Sequence, residues 1–393
     1  MNSRFDQVIE RKNTLSLKYD FHTERNKAED VLPLWVADMD FPIPEPVQKA
    51  LQERVKHGIF GYSDGKEDYN QSVIQWFSKR FSYRPAEESL VKTPGVVYAL
   101  AIAVKAFTKE GDSVLIQNPV YYPFADVIQQ NNRKLVTNPL IQEYGKYRMD
   151  FEDLERKIQK YAIRLMFLCS PHNPVGRVWT KEELLHLGEI CFRHGCIVVS
   201  DEIHCDFVFS SHEHIPFPSL SKEWEQQSIL CTAPSKTFNL AGLQISNIFI
   251  ANPQLREQFI QESEKNGYSQ CNIMGLIACQ TAYEQGEAWL EELKTYLRGN
   301  ISYLQGFIQQ YLPKIRYFPQ EATYLAWLDC SALFDTQEEL ESFIEEKAKL
   351  WLDSGTMFGE EGKGFMRLNL ACPKVILERA MEQLRKAYEE LEF

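Results

Sequence analysis

The sequence predicts an α/β protein: a mostly parallel central sheet with helices on both faces, plus a smaller α+β domain. Strand-length apolar runs alternate with helix-length amphipathic stretches through the middle of the chain. The runs are continuously apolar, as in Val114-Leu115-Ile116 and Ile197-Val198-Val199, whereas a strand with one wet face would alternate. Beyond Ile315 the texture shifts to short strands and an acidic helix, which marks the smaller body. A chain of 393 residues is long enough for both. The expected division gives a large domain over 50–285 and a small one made of 286–393 with an N-terminal arm, 1–49.

The first 50 residues are polar and punctuated by proline around an apolar island, Leu32-Pro33-Leu34-Trp35-Val36-Ala37-Asp38-Met39-Asp40-Phe41-Pro42. Pro42, Pro44 and Pro46 alternate, which predicts an extended arm feeding a helix from about Pro46. Gly58 to Gly65 is a glycine-bracketed loop holding Tyr62. A short strand at Val91 leads to a turn at Gly95 and a helix to about Phe107. A strand over Ser113–Ile116, a helix over Phe124–Gln130 and a strand near Lys134–Val136 follow. The run Ile163–Cys169 is stopped by the prolines of Ser170-Pro171-His172-Asn173-Pro174-Val175-Gly176.

Thr180 reads as the N-cap of an amphipathic helix over Lys181–His194, with Gly195 just past its end. Strands over Cys196–Ser200, Ser228–Cys231 and Asn247–Ala251 extend the sheet, and a helix covers Leu255–Lys265. Residues 272–312 predict further helix, with weak points at Gly275, Gly286 and Gly299. The smaller body receives strands at Arg316–Phe318, Tyr324–Leu328 and Phe365–Leu370, an acidic helix over about Glu338–Leu350 and a closing helix from about Val375.

Composition narrows the function. A chain 44% hydrophobic and 25% charged is ordinary for a soluble globular protein, and a net charge of −12 argues against a nucleic-acid partner. Met1 to Gln7 lack the apolar core of a leader, and no stretch reaches the roughly 18 apolar residues of a membrane span. The expectation is a cytoplasmic protein with no membrane partner. Nine cysteines, at 169, 191, 196, 205, 231, 271, 279, 330 and 372, form no Cys-x-x-Cys pair and read as reduced core residues.

The chemistry centres on Lys236, set between the apolar strand at Ser228 and a glycine-marked turn. An amine in an apolar surround loses its proton more readily and can attack a carbonyl, which is Schiff-base chemistry. An electrophilic cofactor held there needs an anion site, a partner for a ring nitrogen, a donor to a phenolic oxygen and an aromatic against its ring. The helix after Gly95 offers free N–H groups to a phosphate. Asp201 ends an apolar strand, where a carboxylate needs a cationic partner; a helix cap or an internal ion pair would serve as well. Asn173 offers an amide donor in a proline-bounded loop, or is an ordinary turn residue. His204, three residues past Asp201, could donate to the same oxygen or sit satisfied in the core. Tyr121 or Tyr122 could stack on the ring. Arg367 reads by default as a surface charge. A metal set from Asp201, His204, Asp206, His212 and His214 has suitable ligand types, but the expectation is no metal.

The ordered motifs Gly95-Val96-Val97, Asn118-Pro119-Val120-Tyr121, Ser170–Gly176, Ser200-Asp201-Glu202-Ile203-His204 and Ser235-Lys236-Thr237-Phe238 resemble those of fold-type I pyridoxal phosphate (PLP) enzymes of the class I and II aminotransferase superfamily. Trp35–Pro42 together with Lys236–Leu243 is most similar to cystathionine beta-lyase-like carbon–sulfur lyases. The resemblance spans about residue 30 to the strand carrying Arg367. It implies that Lys236 anchors PLP and that Asp201 holds the pyridinium nitrogen. Asn173 and His204 would contact the phenolic oxygen, and Tyr121 would stack on the ring. Gly95, Val96, Val97 and Ser235 would join the cofactor contacts, with Tyr62 reaching the phosphate of the neighbouring subunit in a homodimer. Arg367, with Asp38 and Tyr121, would bind an amino-acid substrate. One position departs from the pattern: many aminotransferases carry arginine eight residues after the lysine, and here Gln244 stands there.

The implied reaction is β-elimination from L-cystathionine or L-cysteine to thiol, pyruvate and ammonia, with Lys236, Tyr121 and Asp201 catalytic. An aminotransferase and a PLP-binding regulatory protein are the alternatives.

Overall fold

The computed structural model describes residues 3–143, 145–209 and 212–391. Residues 1–2 and 392–393, at the outer ends of the expected small-domain segments, lie outside them. Seven strands form the central sheet in the spatial order Leu90–Thr93, Ser246–Phe249, Ser228–Thr232, Ile197–Asp201, Leu165–Cys169, Ser113–Ile116 and Lys134–Thr137. Ser246–Phe249 runs antiparallel to both its neighbours, and the other pairings are parallel. Continuous apolarity has the expected cause. Val114, Phe167 and Val199 pack on one face with the helix Val96–Phe107, and Leu115, Met166, Leu168 and Val198 pack on the other with the helix Lys181–Arg193. Thr180 caps the latter helix in a reciprocal box with Glu183.

A second, antiparallel sheet orders Arg316–Tyr317, Leu325–Asp329, Phe365–Asn369 and Asp353–Ser354. The arm joins this region, because Leu32–Pro33 pairs in parallel with Leu350–Trp351. That pairing corrects the acidic helix. It spans Gln337–Ser342, loosens into a π turn at Phe343–Lys347 and ends before Leu350, where Lys349 takes a positive φ of 54°. Of the three glycines expected as weak points in 272–312, Gly286 alone divides helices, Ile273–Gln285 from Glu287–Tyr311. A Cβ there would lie 2.5 Å from both the Ala282 carbonyl oxygen and the Phe238 ring, so glycine is required. Gly275 and Gly299 lie inside the helices. The sequence reading passed over the helices Glu67–Phe81 and Phe151–Lys160 and the hairpin Ile141–Glu143/Lys146–Arg148.

All nine cysteines are buried and unpaired in disulfides. Among the described residues no helix is long and apolar enough to cross a membrane.

Candidate active site

Parallel strands leave their carboxyl ends on one edge of the sheet, and the residues singled out above follow those ends. Gly95 follows Leu90–Thr93, Tyr121 follows Ser113–Ile116, Asn173 follows Leu165–Cys169, and Asp201 closes Ile197–Asp201. Lys236 sits in a single helical turn, Pro234–Thr237, after Ser228–Thr232. The peptide bonds before Pro119, Pro171 and Pro174 are cis. Thr237 is tied to the buried Asp206 at 2.8 Å, and Asp206 also pairs with Arg80 at 2.8 Å, which fixes the turn that carries the lysine.

A cavity of about 160 Å³ opens at that edge. Gly95, Val96, Val97, Tyr121, Asn173, Asp201, His204, Ser235 and Lys236 all line it. Ala37, Pro94, Cys169, Ile203, Ala241, Gln244 and Ile245 complete the wall.

Lys236 Nζ donates to the Ala37 carbonyl at 2.8 Å, and the Tyr324 hydroxyl donates to the same oxygen at 3.0 Å. Loss of water around the amine, with Arg367 adding repulsion, lowers the lysine to about 8. Burial raises Asp201 to about 7, against one stabilising bond from the Ile203 N–H at 3.1 Å. No cationic side chain among the described residues hydrogen-bonds Asp201. Burial pushes His204 well below its ordinary value, and its Nδ1 is buried without a partner among the described residues. Burial likewise raises the Tyr121 phenol, whose backbone N–H donates to the Asn173 carbonyl at 3.1 Å.

Arg367 overturns its default reading as a surface charge. It is 3% exposed, donates to Asn173 Oδ1 at 3.0 Å, pairs with Asp353 and lies 4.7 Å over the Phe358 ring. Asp38, expected at the substrate, is not among the residues that line the cavity: Arg11 holds one of its carboxylate oxygens at 2.6 Å, beside the Arg11–Asp40 and Lys18–Asp40 pairs. Its neighbour Ala37 takes the wall position instead. Tyr62 is 97% exposed and lines no part of this chain's cavity. The alternative metal set is dispersed, since His214 pairs with Glu202 at 2.6 Å and Asp206 with Arg80 and Thr237.

Sequence reasoning missed Ala37, Tyr324 and Asp353. The first acts through its backbone, which no residue type announces. Tyr324 read as a strand residue of the smaller body and Asp353 fell between its predicted elements; only the fold brings the one to the Ala37 carbonyl and the other to Arg367.

These groups fit PLP. A buried carboxylate without a cationic hydrogen-bond partner suits a pyridinium nitrogen, and the orphaned His204 nitrogen suits a ring substituent. A Cβ built on Gly95 meets nothing within 4 Å, and the first N–H groups of the following helix have no acceptor within the helix, as a phosphate requires. Gln244, with a φ of 45°, stands in the wall without a charge to add.

Comparison with known proteins agrees. The model of the family described as aminotransferase class I and II matches residues 29–384. The cystathionine beta-lyase PatB of Bacillus subtilis is 43% identical over 383 residues, 98% of this chain and 99% of that protein. Cystalysin from Treponema denticola, solved with PLP, superposes with a TM-score of 0.96 at 36% identity, covering 100% of both chains. The PLP-bound C–S lyase of Staphylococcus hominis superposes with a TM-score of 0.92 at 33% identity over 99% of each chain.

Proposed function

The chain belongs to the class I and II aminotransferase family, and from that membership we propose that it is a PLP-dependent carbon–sulfur β-lyase acting on L-cystathionine or L-cysteine. One observation carries the reading: Lys236, its amine eased toward neutrality, shares a cavity with a buried Asp201 that lacks a cationic hydrogen-bond partner.

Bound there, PLP supplies an aldehyde for the substrate amine and a ring that takes up the electrons released at the α-carbon. In this reading Lys236 anchors it, Asp201 pairs with the ring nitrogen, and Asn173 and His204 face the phenolic oxygen. Tyr121 lies against the ring. Ser235 and the N–H groups of Val96 and Val97, beside Gly95, take the phosphate. Arg367 receives the substrate carboxylate through donors not committed to Asn173 and Asp353. Lys236 Nζ, once free of the cofactor, takes the α-proton. The Ala37 carbonyl accepts one N–H of that amine and leaves its lone pair for the proton. The C–S bond breaks with its electron pair on sulfur, and the three-carbon remainder hydrolyses to pyruvate and ammonia.

The reading includes a homodimer. Exposed Ile59, Phe60 and Tyr62 stand on the loop that would reach the partner's phosphate site. It also includes the division into 50–285 and 1–49 with 286–393, and a cytoplasmic setting that keeps the nine thiols reduced. Incubation with L-cystathionine and no keto acid tests it. Catalytic release of pyruvate and thiol is expected; a single half-turnover would make the protein an aminotransferase.

A further inference from the structure

We infer that a second cavity beside the first receives the half of the substrate that departs with sulfur, and that Arg25 selects leaving groups bearing a carboxylate. This rests on the lyase reading above. The cavity, about 340 Å³, lies between the arm and the smaller sheet, with Arg25, Trp35, Trp351, Asp353 and Met357 in its walls.

Two relationships place it beside the Lys236 cavity. Trp35 lines one and Ala37 the other, and two residues of backbone span at most ~7 Å. Arg367 donates to Asn173 in the first wall and to Asp353 in the second. The arginine that takes the α-carboxylate thus bridges the two walls, and a thioether that extends past it enters the second cavity.

The walls suit an amino-acid end. Trp35 and Trp351, stacked at 4.6 Å and 9°, give the wall apolar ring surface beside which a sulfur and its methylenes can pack. The other charged walls are committed: Lys27 to Glu345 at 2.5 Å, Asp353 to Arg367, and Glu341 to Ser354. Arg25 lies 4.7 Å over the Trp35 ring and makes no ion pair among the described residues. Its fork is therefore available to a carboxylate, which it matches in shape as well as charge. A substrate that loses only hydrogen sulfide leaves this cavity to water.

The test compares L-cystathionine with S-propyl-L-cysteine, which has the thioether without the distal carboxylate and ammonium, and R25M assigns the carboxylate's share. With the unsubstituted holoenzyme, KM for L-cystathionine is expected to be ~10-fold lower, the worth of a charge-assisted hydrogen bond. Arg25→Met keeps the stem on Trp35, and should raise KM for L-cystathionine alone and erase that gap with kcat unchanged. Equal KM values in the unsubstituted enzyme, or an equal rise for both substrates in R25M, would overturn the inference. Turnover of neither substrate by the unsubstituted enzyme would overturn the lyase reading instead.

Discussion

The side-chain oxygen of Asn173 accepts a hydrogen bond from Arg367 Nη1 at 3.0 Å, joining the loop after a strand of the large sheet to a strand of the smaller one. Asn173 is 3% exposed and so is Arg367, and through Asn173 the pair adjoins the cavity wall. Arg367→Lys replaces a planar fork with a point charge. KM for the amino-acid substrate should rise ~10- to 100-fold, as expected for losing a hydrogen bond to a charged group. Asn173→Ala should in addition lower thermal stability, because a buried guanidinium loses an acceptor. Steady-state kinetics and thermal unfolding check the two. An unchanged KM in R367K would remove Arg367 from the substrate site.

Asp201 gives a pH-dependent stability of definite sign. Its folded value is raised to about 7, while in the unfolded chain it titrates near ~3.9. Between those values the folded, cofactor-free protein keeps a proton that the unfolded chain has lost, so stability falls as pH rises. Asp201→Asn should therefore stabilise the cofactor-free protein at pH 8 by a few kcal/mol, of order ~4 from the size of the shift. The gain should vanish below pH 4. In the holoenzyme the same change should abolish turnover, because the ring nitrogen loses its partner. Denaturant titrations at pH 4 and pH 8 decide the first part, and a destabilised D201N at pH 8 would contradict it.

The sheet was the most legible part of the chain, and the reason is local. Runs such as Leu165–Cys169 and Ile197–Asp201 are packed on both faces, so they are apolar up to Cys169 in the first and Val199 in the second. The residues at those ends, Asn173, Asp201 and Lys236, were legible because polar groups there contradict their surroundings. Where burial depends on a distant partner, the signal was missing. Leu350 read as the end of a helix until it and Trp351 pair with Leu32 and Pro33. The partner of Asp38 was equally hidden: Arg11, 27 residues earlier, holds one of its carboxylate oxygens. Ala37 contributes only a carbonyl, and its role shows only in the distance to Lys236.

That carbonyl yields a prediction about the lysine. Two donors share the Ala37 oxygen, Lys236 Nζ and the Tyr324 hydroxyl. In Tyr324→Phe the oxygen serves the lysine alone, which favours the better donor, the ammonium form. The lysine, near 8 in the native protein, should titrate higher in Y324F, so its reductive methylation in the cofactor-free protein should begin at higher pH. Peptide mass spectrometry of the Lys236 segment reads this directly. A purely structural role for Tyr324 would leave the labelling profile where it was.

Tyr62 tests the dimer. A side chain 97% exposed, on a loop with half-exposed Ile59 and Phe60, has no packing role within its own chain, and substitution there should cost little stability. If it completes the partner's phosphate site, Tyr62→Ala should weaken PLP binding and activity, and Lys236→Ala should abolish activity. A hybrid of one Y62A and one K236A subunit then concentrates both lesions in one site and leaves the other intact. Each subunit that keeps its lysine faces a partner that keeps its tyrosine. Equal mixing with random exchange of subunits makes half the dimers hybrids, each with one working site of two. Recovery of about a quarter of the unsubstituted activity is expected from a symmetric dimer that shares residues in this way. Activity no higher than the average of the two separate variants would place Tyr62 outside the partner's site.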